Sequence, residues 1–516
     1  MIAKTQVTSW KLKVLLTFVS LAASTVALGD ERWTSFRNGG PNRAASDKLP
    51  LVWSPTNGIA WQRETPGYGQ SSPLLWDGRL YLTAVKGPLK DEGVIVAMDT
   101  NSGETHWKRA FPTSHPEANF DQKCRAASTP VVDETGIYAF FSSGDVFAVS
   151  HAGDVLWRRR LRQEYGDFEN GHGLGSSLAQ TEDAVIVLVD HQGPSYLLAI
   201  DKRNGENLWK AERSSRTSWA SPVVAKIRGR EQIVVSSNGS VDGYDARSGA
   251  LVWSVTDVGG NSISSATVAG NRVFAGASAS GFSGRNASGT SCCIVVKGDR
   301  NPSADIAWRA EKASCHYVSV VEDGGLTWHV NNVGVVFCLD AATGKSHYKA
   351  RTTGMCWATP LVAGGHLYLF GKNGRTMVIK AGPEFEEVAV NELWDAKNPP
   401  MPERYTPYRP TQSSQSDPMQ QAMEQLRSSD RNKDGVIERE ELPSQLRPFF
   451  PQLDTNRDRK IDKAEVNAMA ARISEGRSSD SAESYGDPIV YGVAASDDAL
   501  YLRTGTRVYC VGTTNQ

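Results

Sequence analysis

The sequence is short of several things, and each shortage narrows what the protein does. Net charge is nearly absent: 56 Lys and Arg stand against 57 Asp and Glu, a formal balance of −1. No basic block stands out along the chain. Both facts remove the electrostatic pull toward nucleic acid or an anionic membrane surface. Cysteine is scarce, with seven residues: Cys124, Cys292, Cys293, Cys315, Cys338, Cys356 and Cys510. The number is odd, and none of the spacings is a zinc or haem motif. The lack of Cys-x-x-Cys-His excludes a c-type haem for electron exit. Mostly buried structural thiols are the expectation.

A long apolar run is missing after the N-terminus, so no membrane span is expected in the mature chain. The stretch over residues 14–26 is apolar but short for a span of ~20 residues, and carries Thr17, Ser20, Ser24 and Thr25. Lys4, Lys11 and Lys13 precede it, and small residues suited to cleavage follow at 27–29. Residues 1–29 therefore read as a signal peptide, which predicts a secreted or periplasmic protein. No cysteine precedes Cys124, which excludes a lipid anchor on the mature N-terminus.

What is present is a repeat. Each copy opens on a small-residue turn, often Ser-Pro or Thr-Pro. An apolar strand, a Gly/Asp turn and a second strand follow. A third strand then ends in Asp, and a tight turn leads to a Trp. The clearest copy runs from Ser71-Ser72-Pro73 through "GRLYLTAV" to "GVIVAMDTNSGETHWKR". Others start at Ser128-Thr129-Pro130, Ser176-Ser177, Ser221-Pro222, Ser264-Ser265, Tyr317-Val318 and Thr359-Pro360. Leu80, Tyr81 and Leu82 show strand period. "NSG", "RNG" and "RSG" are turns that need positive φ. A four-stranded sheet of this kind cannot bury both faces alone, so the units must stack in a ring.

The last-strand aromatics number eight: Trp61, Trp107, Trp157, Trp209, Trp253, Trp308, Tyr348 and Trp394. Trp61 has no repeat before it, and the final segment, "DPIVYGVAASDDALYLRTGTRVYCVG", holds three strands. The prediction is an all-β, eight-bladed β-propeller over residues 30–395 and 486–516. Its N-terminal strand completes the last blade, which removes two open sheet edges. The repeats resemble the quinoprotein-like propeller family, named for pyrroloquinoline quinone (PQQ) enzymes. That family includes alcohol dehydrogenases, the barrel-assembly propeller of the bacterial outer membrane, and uncharacterised secreted proteins, so the resemblance implies a fold more than an activity.

Composition changes between residues 395 and 485. Linkers are expected at 396–416 and 476–485, enclosing a helical, acidic module at 417–475. Met419, Ala422, Met423 and Leu426 lie at helical spacing. "DRNKDGVIEREE" then offers Asp430, Asn432, Asp434, the Val436 carbonyl, Glu438 and Glu441 at positions 1, 3, 5, 7, 9 and 12, with Gly435 at 6. Calcium takes six to eight oxygens, and a bidentate Glu completes such a shell. "DTNRDRKIDKAE" repeats the pattern with Asp454, Asn456, Asp458, the Lys460 carbonyl, Asp462 and Glu465, but has Arg459 where Gly is wanted. Both loops resemble the EF-hand family, which implies calcium as cofactor and pairing of Ile437 with Ile461. Phe449, Phe450 and Leu453 are the module's core candidates.

Nothing in the repeats forms a recognisable nucleophile, acid–base pair or metal triad. Large groups in the lead-in turns are candidates to line one mouth of the ring: Arg125, His172, Trp219, His316, Trp357 and Tyr485. The sequence favours a binding or scaffold propeller, with an unidentified protein or polysaccharide as partner. The alternative is a PQQ-dependent oxidoreductase. The adjacent pair Cys292-Cys293 speaks for it, because dehydrogenases of the resembled family carry an adjacent-cysteine disulfide beside the cofactor. Against it, the pair sits in a plausible strand, "GTSCCIVVKGD", and no catalytic Asp or cofactor-calcium ligand can be matched.

Overall fold

The computed structural model describes residues 32–119, 124–278, 290–299 and 301–395, most of 397–408, parts of 429–466, and 484–512 except 487. The predicted signal peptide and the helix expected around Met419 to Leu426 lie outside the described residues. Each repeat becomes one four-stranded antiparallel sheet, and the described residues contain eight of them. Blades 1 to 7 span residues 74–112, 131–160, 179–213, 223–258, 267–309, 321–351 and 361–392. Blade 8 combines 492–511 with 59–64.

Stacking explains why the middle strands read as unbroken apolar runs. In blade 3, every residue of Ala184–Val189 and Ser195–Asp201 is buried, whereas the outer strand Asn207–Arg213 is partly exposed. Strand alternation survives, but both faces are covered. Leu80 and Leu82 pack with residues of blade 8, and Tyr81, between them, packs with Val132 and Ile137 of blade 2. Burial of both faces is what ties one sheet to the next.

The Asp-to-Gly turn is the second tie. Asp245 Oδ1 accepts the N–H groups of Arg247 at 3.2 Å and Ser248 at 2.9 Å. Gly249 then takes φ +71° beneath the Trp209 ring of the previous blade. The Trp209 indole N–H donates to the Ala246 carbonyl in the same turn at 3.1 Å. Trp61, Trp107, Trp157 and Trp308 dock in the same way on Thr100, His151, Lys202 and Ala341.

The ring closes where the two chain ends meet. Ile59–Glu64 pairs antiparallel with Arg507–Val511, with Trp61 opposite Cys510 and Arg63 opposite Val508. Buried Arg503 links blade 8 to blade 1, donating to the carbonyls of Ser71 at 3.1 Å and Thr83 at 2.5 Å. Burial drives its guanidinium down to about 9, while Glu403 and two tyrosines oppose that shift.

Two features were not foreseen. Within the segment expected as a linker, Glu403–Tyr405 pairs with Ser484–Gly486, so the two flanks of the insertion form a ribbon. Glu403 is buried and accepts the N–H groups of Gly505 at 2.8 Å and Thr506 at 3.0 Å. The ribbon is thereby rooted on blade 8. The second feature is the N-terminal segment. Trp33 exchanges backbone hydrogen bonds with Leu75 of blade 1, and Arg37 donates to Ala266 and Thr267 of blade 5. Asn42 reaches Thr359 and Pro360 of blade 7. Blades 1 and 5 are opposite each other in the ring, and four residues of extended chain span only about 14 Å. The segment therefore crosses the central channel at the far ends of the inner strands.

Candidate functional site

With one end crossed, the channel is a cup of about 550 Å³ that opens on the lead-in turns. Phe36 of the crossing segment lines it, as do Gln70 and the half-buried aromatics of the rim. Its wall is a ring of hydroxyls. The Ser72 N–H donates to Thr129 Oγ1 at 2.9 Å, Thr129 to Ser177 Oγ at 3.1 Å, and Ser177 to Ser221 Oγ at 2.9 Å. Ser221 donates to Ser265 at 2.9 Å, Ser265 to Ser319 at 3.1 Å, and Ser319 to Thr359 at 3.2 Å. The small residues opening blades 1 to 6 are thus both blade-to-blade bonds and channel lining. Blade 8 breaks the ring at Gly492, where a Cβ would lie 2.4 Å from Ser72 Oγ.

The rim is aromatic. Trp357 stacks on Tyr317 with centroids 4.5 Å apart and meets Tyr491 edge-on at 5.6 Å. Across the mouth, His172 packs edge-on against Trp219 at 5.7 Å, and the Trp219 indole N–H donates to the Gly173 carbonyl at 2.9 Å. Among the described residues that line the cup, none is Asp, Glu, Lys or Arg.

Of the six predicted mouth residues, the structure brings together His172, Trp219 and Trp357. Arg125 is not among the lining residues. It is buried, with its guanidinium 4.3 Å from the Tyr68 ring and 4.2 Å from the Tyr405 ring. Two aromatic faces hold the cation there, and Tyr405 comes from the ribbon that the sequence did not reveal. His316 is also not among the lining residues: it stands behind Tyr317 and reaches Ser278 Oγ at 3.1 Å. Burial holds its imidazole below the ordinary histidine range. The strand carrying Tyr485 pairs with the 403–405 strand, and its side chain lies outside the described residues. Sequence reasoning missed Phe36, Gln70, Tyr317 and Tyr491 as lining. The hydroxyls were visible as repeat starts, yet nothing marked them as facing a channel.

Cys292 and Cys293 lie in strand Cys292–Lys297, and both are fully buried. They point to opposite faces: Cys292 packs with Val234 and Val241 of blade 4, and Cys293 with Val320 and Trp328 of blade 6. Burial pushes their thiols up to about 11 and about 12. Neither cysteine is among the lining residues of the cup.

The two acidic loops stand side by side. Val436–Ile437 pairs with Ile461–Asp462, placing Ile437 opposite Ile461. Beneath them Leu442, Phe450 and Val466 form a small core. Phe449 lies outside the described residues. In loop one, Asp430 accepts the N–H groups of Asp434 at 3.2 Å and Gly435 at 3.0 Å, and Glu441 accepts that of Glu438 at 3.0 Å. Loop two repeats this: Asp454 accepts from Asp458 at 3.1 Å and Arg459 at 3.0 Å, and Glu465 from Asp462 at 3.1 Å. Burial raises the Glu465 carboxyl, but the bonds from Asn456, Asp462 and Thr455 outweigh it and hold the group below its usual range. Arg459 adopts φ +70°, the conformation Gly435 takes at +91°. Among the described residues no three His, Cys, Asp or Glu side chains converge as a ready metal cluster. Each loop instead offers a mixed set of carboxylates, an Asn amide and a backbone carbonyl.

With this geometry in view, the repeats match a known family over residues 43–170, 173–297 and 295–402. The chain belongs to the family described as outer membrane protein assembly factor BamB. Among solved structures it is similar to BamB from Moraxella catarrhalis, at 10% identity and a TM-score of 0.50, covering 88% of this chain and 99% of that one. It is also similar to the quinohemoprotein alcohol dehydrogenase ADHIIG from Pseudomonas putida HK5, at 12% identity and a TM-score of 0.51, covering 70% and 72%. Identities this low carry the fold alone. No curated protein matches the chain. Among the described residues, no helix is long and apolar enough to cross a membrane.

Proposed function

We propose that the protein is a calcium-binding propeller outside the cytoplasm that works by binding and scaffolding rather than by catalysis. Its ligand enters at the mouth of the cup. The observation that carries this reading is the chemistry of the lining. Aromatic faces, hydroxyls, one amide, one imidazole and the Cys124 thiol suit recognition. General acid–base chemistry wants positioned groups with matched pKa values, and the described lining residues include no Asp or Glu. Membership of an assembly-factor family supports a protein partner for the outer surface of the ring.

The alternative is PQQ chemistry, and the described lining of the cup speaks against it. PQQ is a tricarboxylate, and among the described residues the lining holds neither a cation to meet it nor a carboxylate to hold a cofactor calcium. The adjacent cysteines are held apart on two faces of one strand, away from the channel.

The acidic loops do fit calcium. Residues 430, 432, 434, 436, 438 and 441 supply the hard oxygen donors that calcium requires, and 454, 456, 458, 460, 462 and 465 supply a second set. The experiment mixes the protein with calcium and then with PQQ, followed by visible absorption and by dye reduction with ethanol. Calcium uptake without a bound-quinone spectrum is expected. A quinone spectrum with substrate-dependent dye reduction would overturn the binding reading.

A further inference from the structure

The cup's chemistry narrows its ligand further, on the reading above that the cup is the binding site. In the hydroxyl ring, Thr129, Ser177, Ser221, Ser265 and Ser319 each accept one backbone N–H from the preceding blade. No protein group among the described residues takes the proton of these hydroxyls, and Ser72 is in the same position. Accepting an N–H polarises a hydroxyl and makes it a better donor. The wall therefore presents donors that require acceptors from whatever fills the cup. An apolar occupant leaves them unmet.

Among the described residues, the lining carries no Asp, Glu, Lys or Arg. An anion would give up water to a described lining without a cation, and a cation to one without a carboxylate. Buried Arg37, near the floor, is engaged by the carbonyls of Gly40, Ser265 and Ala266 and by Thr267 Oγ1. The rim adds flat apolar faces on two sides, the Trp357–Tyr317 stack and Trp219. The described lining suits an occupant that is neutral and rich in acceptor oxygens, yet carries C–H faces that lie against rings. The volume, about 550 Å³, is in the range of about 300–1,000 Å³ usual for small-molecule sites.

We propose that the cup binds a neutral saccharide, a short oligosaccharide or chain end, stacked on Trp357 and Trp219 and accepting hydrogen bonds from the hydroxyl ring.

The test is calorimetry on the full chain with cellotriose, xylotriose and N-acetylated chitotriose. Trigalacturonate and deacetylated chitotriose serve as charged counterparts. The variants are Trp357→Ala and Ser221→Ala, with Leu208→Ala on an exposed outer strand as control. At least one neutral trisaccharide should bind. Trp357→Ala should weaken it about tenfold or more, with the melting curve retained and Leu208→Ala unchanged. If Trp357→Ala disturbs the fold, Ser221→Ala carries the same comparison. Absence of binding by every neutral sugar overturns the proposal. If a charged trimer binds instead, through Trp357, the saccharide class is wrong as stated and the cup stands as the binding site. If a neutral sugar binds but ignores both cup variants, the cup itself fails as the site.

Discussion

The indole N–H of Trp157 donates to the carbonyl of Lys202 at 2.8 Å, from the last strand of one blade into the turn of the next. Gly205, three residues on, holds φ +76° and faces the same ring, where a Cβ would come within 2.9 Å of it. The turn glycine thus answers two demands at once. Gly205→Ala is expected to cost about 1–2 kcal/mol from the backbone alone, with the ring contact adding to it. Denaturant titration checks this. A midpoint equal to that of the unaltered protein would show that the turn relaxes freely.

Ring closure depends on the chain's end. Deleting residues 486–516 removes three strands of blade 8 and leaves Ile59–Glu64 without its partner Arg507–Val511. It also removes Arg503 from Ser71 and Thr83. Open sheet edges and an unfilled gap should abolish the cooperative melt followed by far-ultraviolet circular dichroism. A truncated chain that melts cooperatively would show that seven blades close without the eighth.

The two acidic loops should bind calcium unequally. Loop one carries five acids against three bases, a net of −2, and loop two carries four against four, a net of zero. Ligand charge sets affinity in such loops. Arg459 adds backbone strain at φ +70° of about 1–2 kcal/mol. Calorimetry should show the tighter site lost in Glu441→Gln and the weaker one in Glu465→Gln. Arg459→Gly should tighten loop two by up to roughly tenfold. Loss of the tighter site in Glu465→Gln would reverse the assignment.

His329 makes stability fall on the acid side. It is fully buried, its Nε2 lies 3.1 Å from Thr327 Oγ1, and burial pushes its pKa from 6.5 down to about 3. The unfolded chain therefore binds a proton that the folded one refuses. Stability from the neutral ring is present above pH 6.5 and is lost as pH falls toward 3. A single such site changes stability by up to about 1.4 kcal/mol per pH unit. In His329→Gln this component disappears, so its stability should fall less steeply than that of the unaltered protein below pH 6.5. Parallel curves would show that the imidazole titrates in place.

Much of the fold was legible because it is written locally and often. Asp, Gly and Trp recur at fixed offsets, and each is required by a turn or by the wedge between two sheets. Eight tryptophan or tyrosine positions and an orphan first strand were enough to count blades and pair the ends. The loop spacing likewise foresaw that Ile437 pairs with Ile461, because the same position recurs in two twelve-residue segments.

What the tertiary structure alone decided lies between segments far apart in sequence. Arg125 belonged to the predicted mouth until Tyr405, 280 residues later in the chain, was found over its guanidinium. The segment from Trp33 to Asn42 carries no repeat signal, yet it crosses the channel and turns a tunnel into a cup. The hydroxyl ring exists only because seven similar turns meet around one axis. Local chemistry specifies each turn, while the direction each side chain faces is set by the closure of the ring.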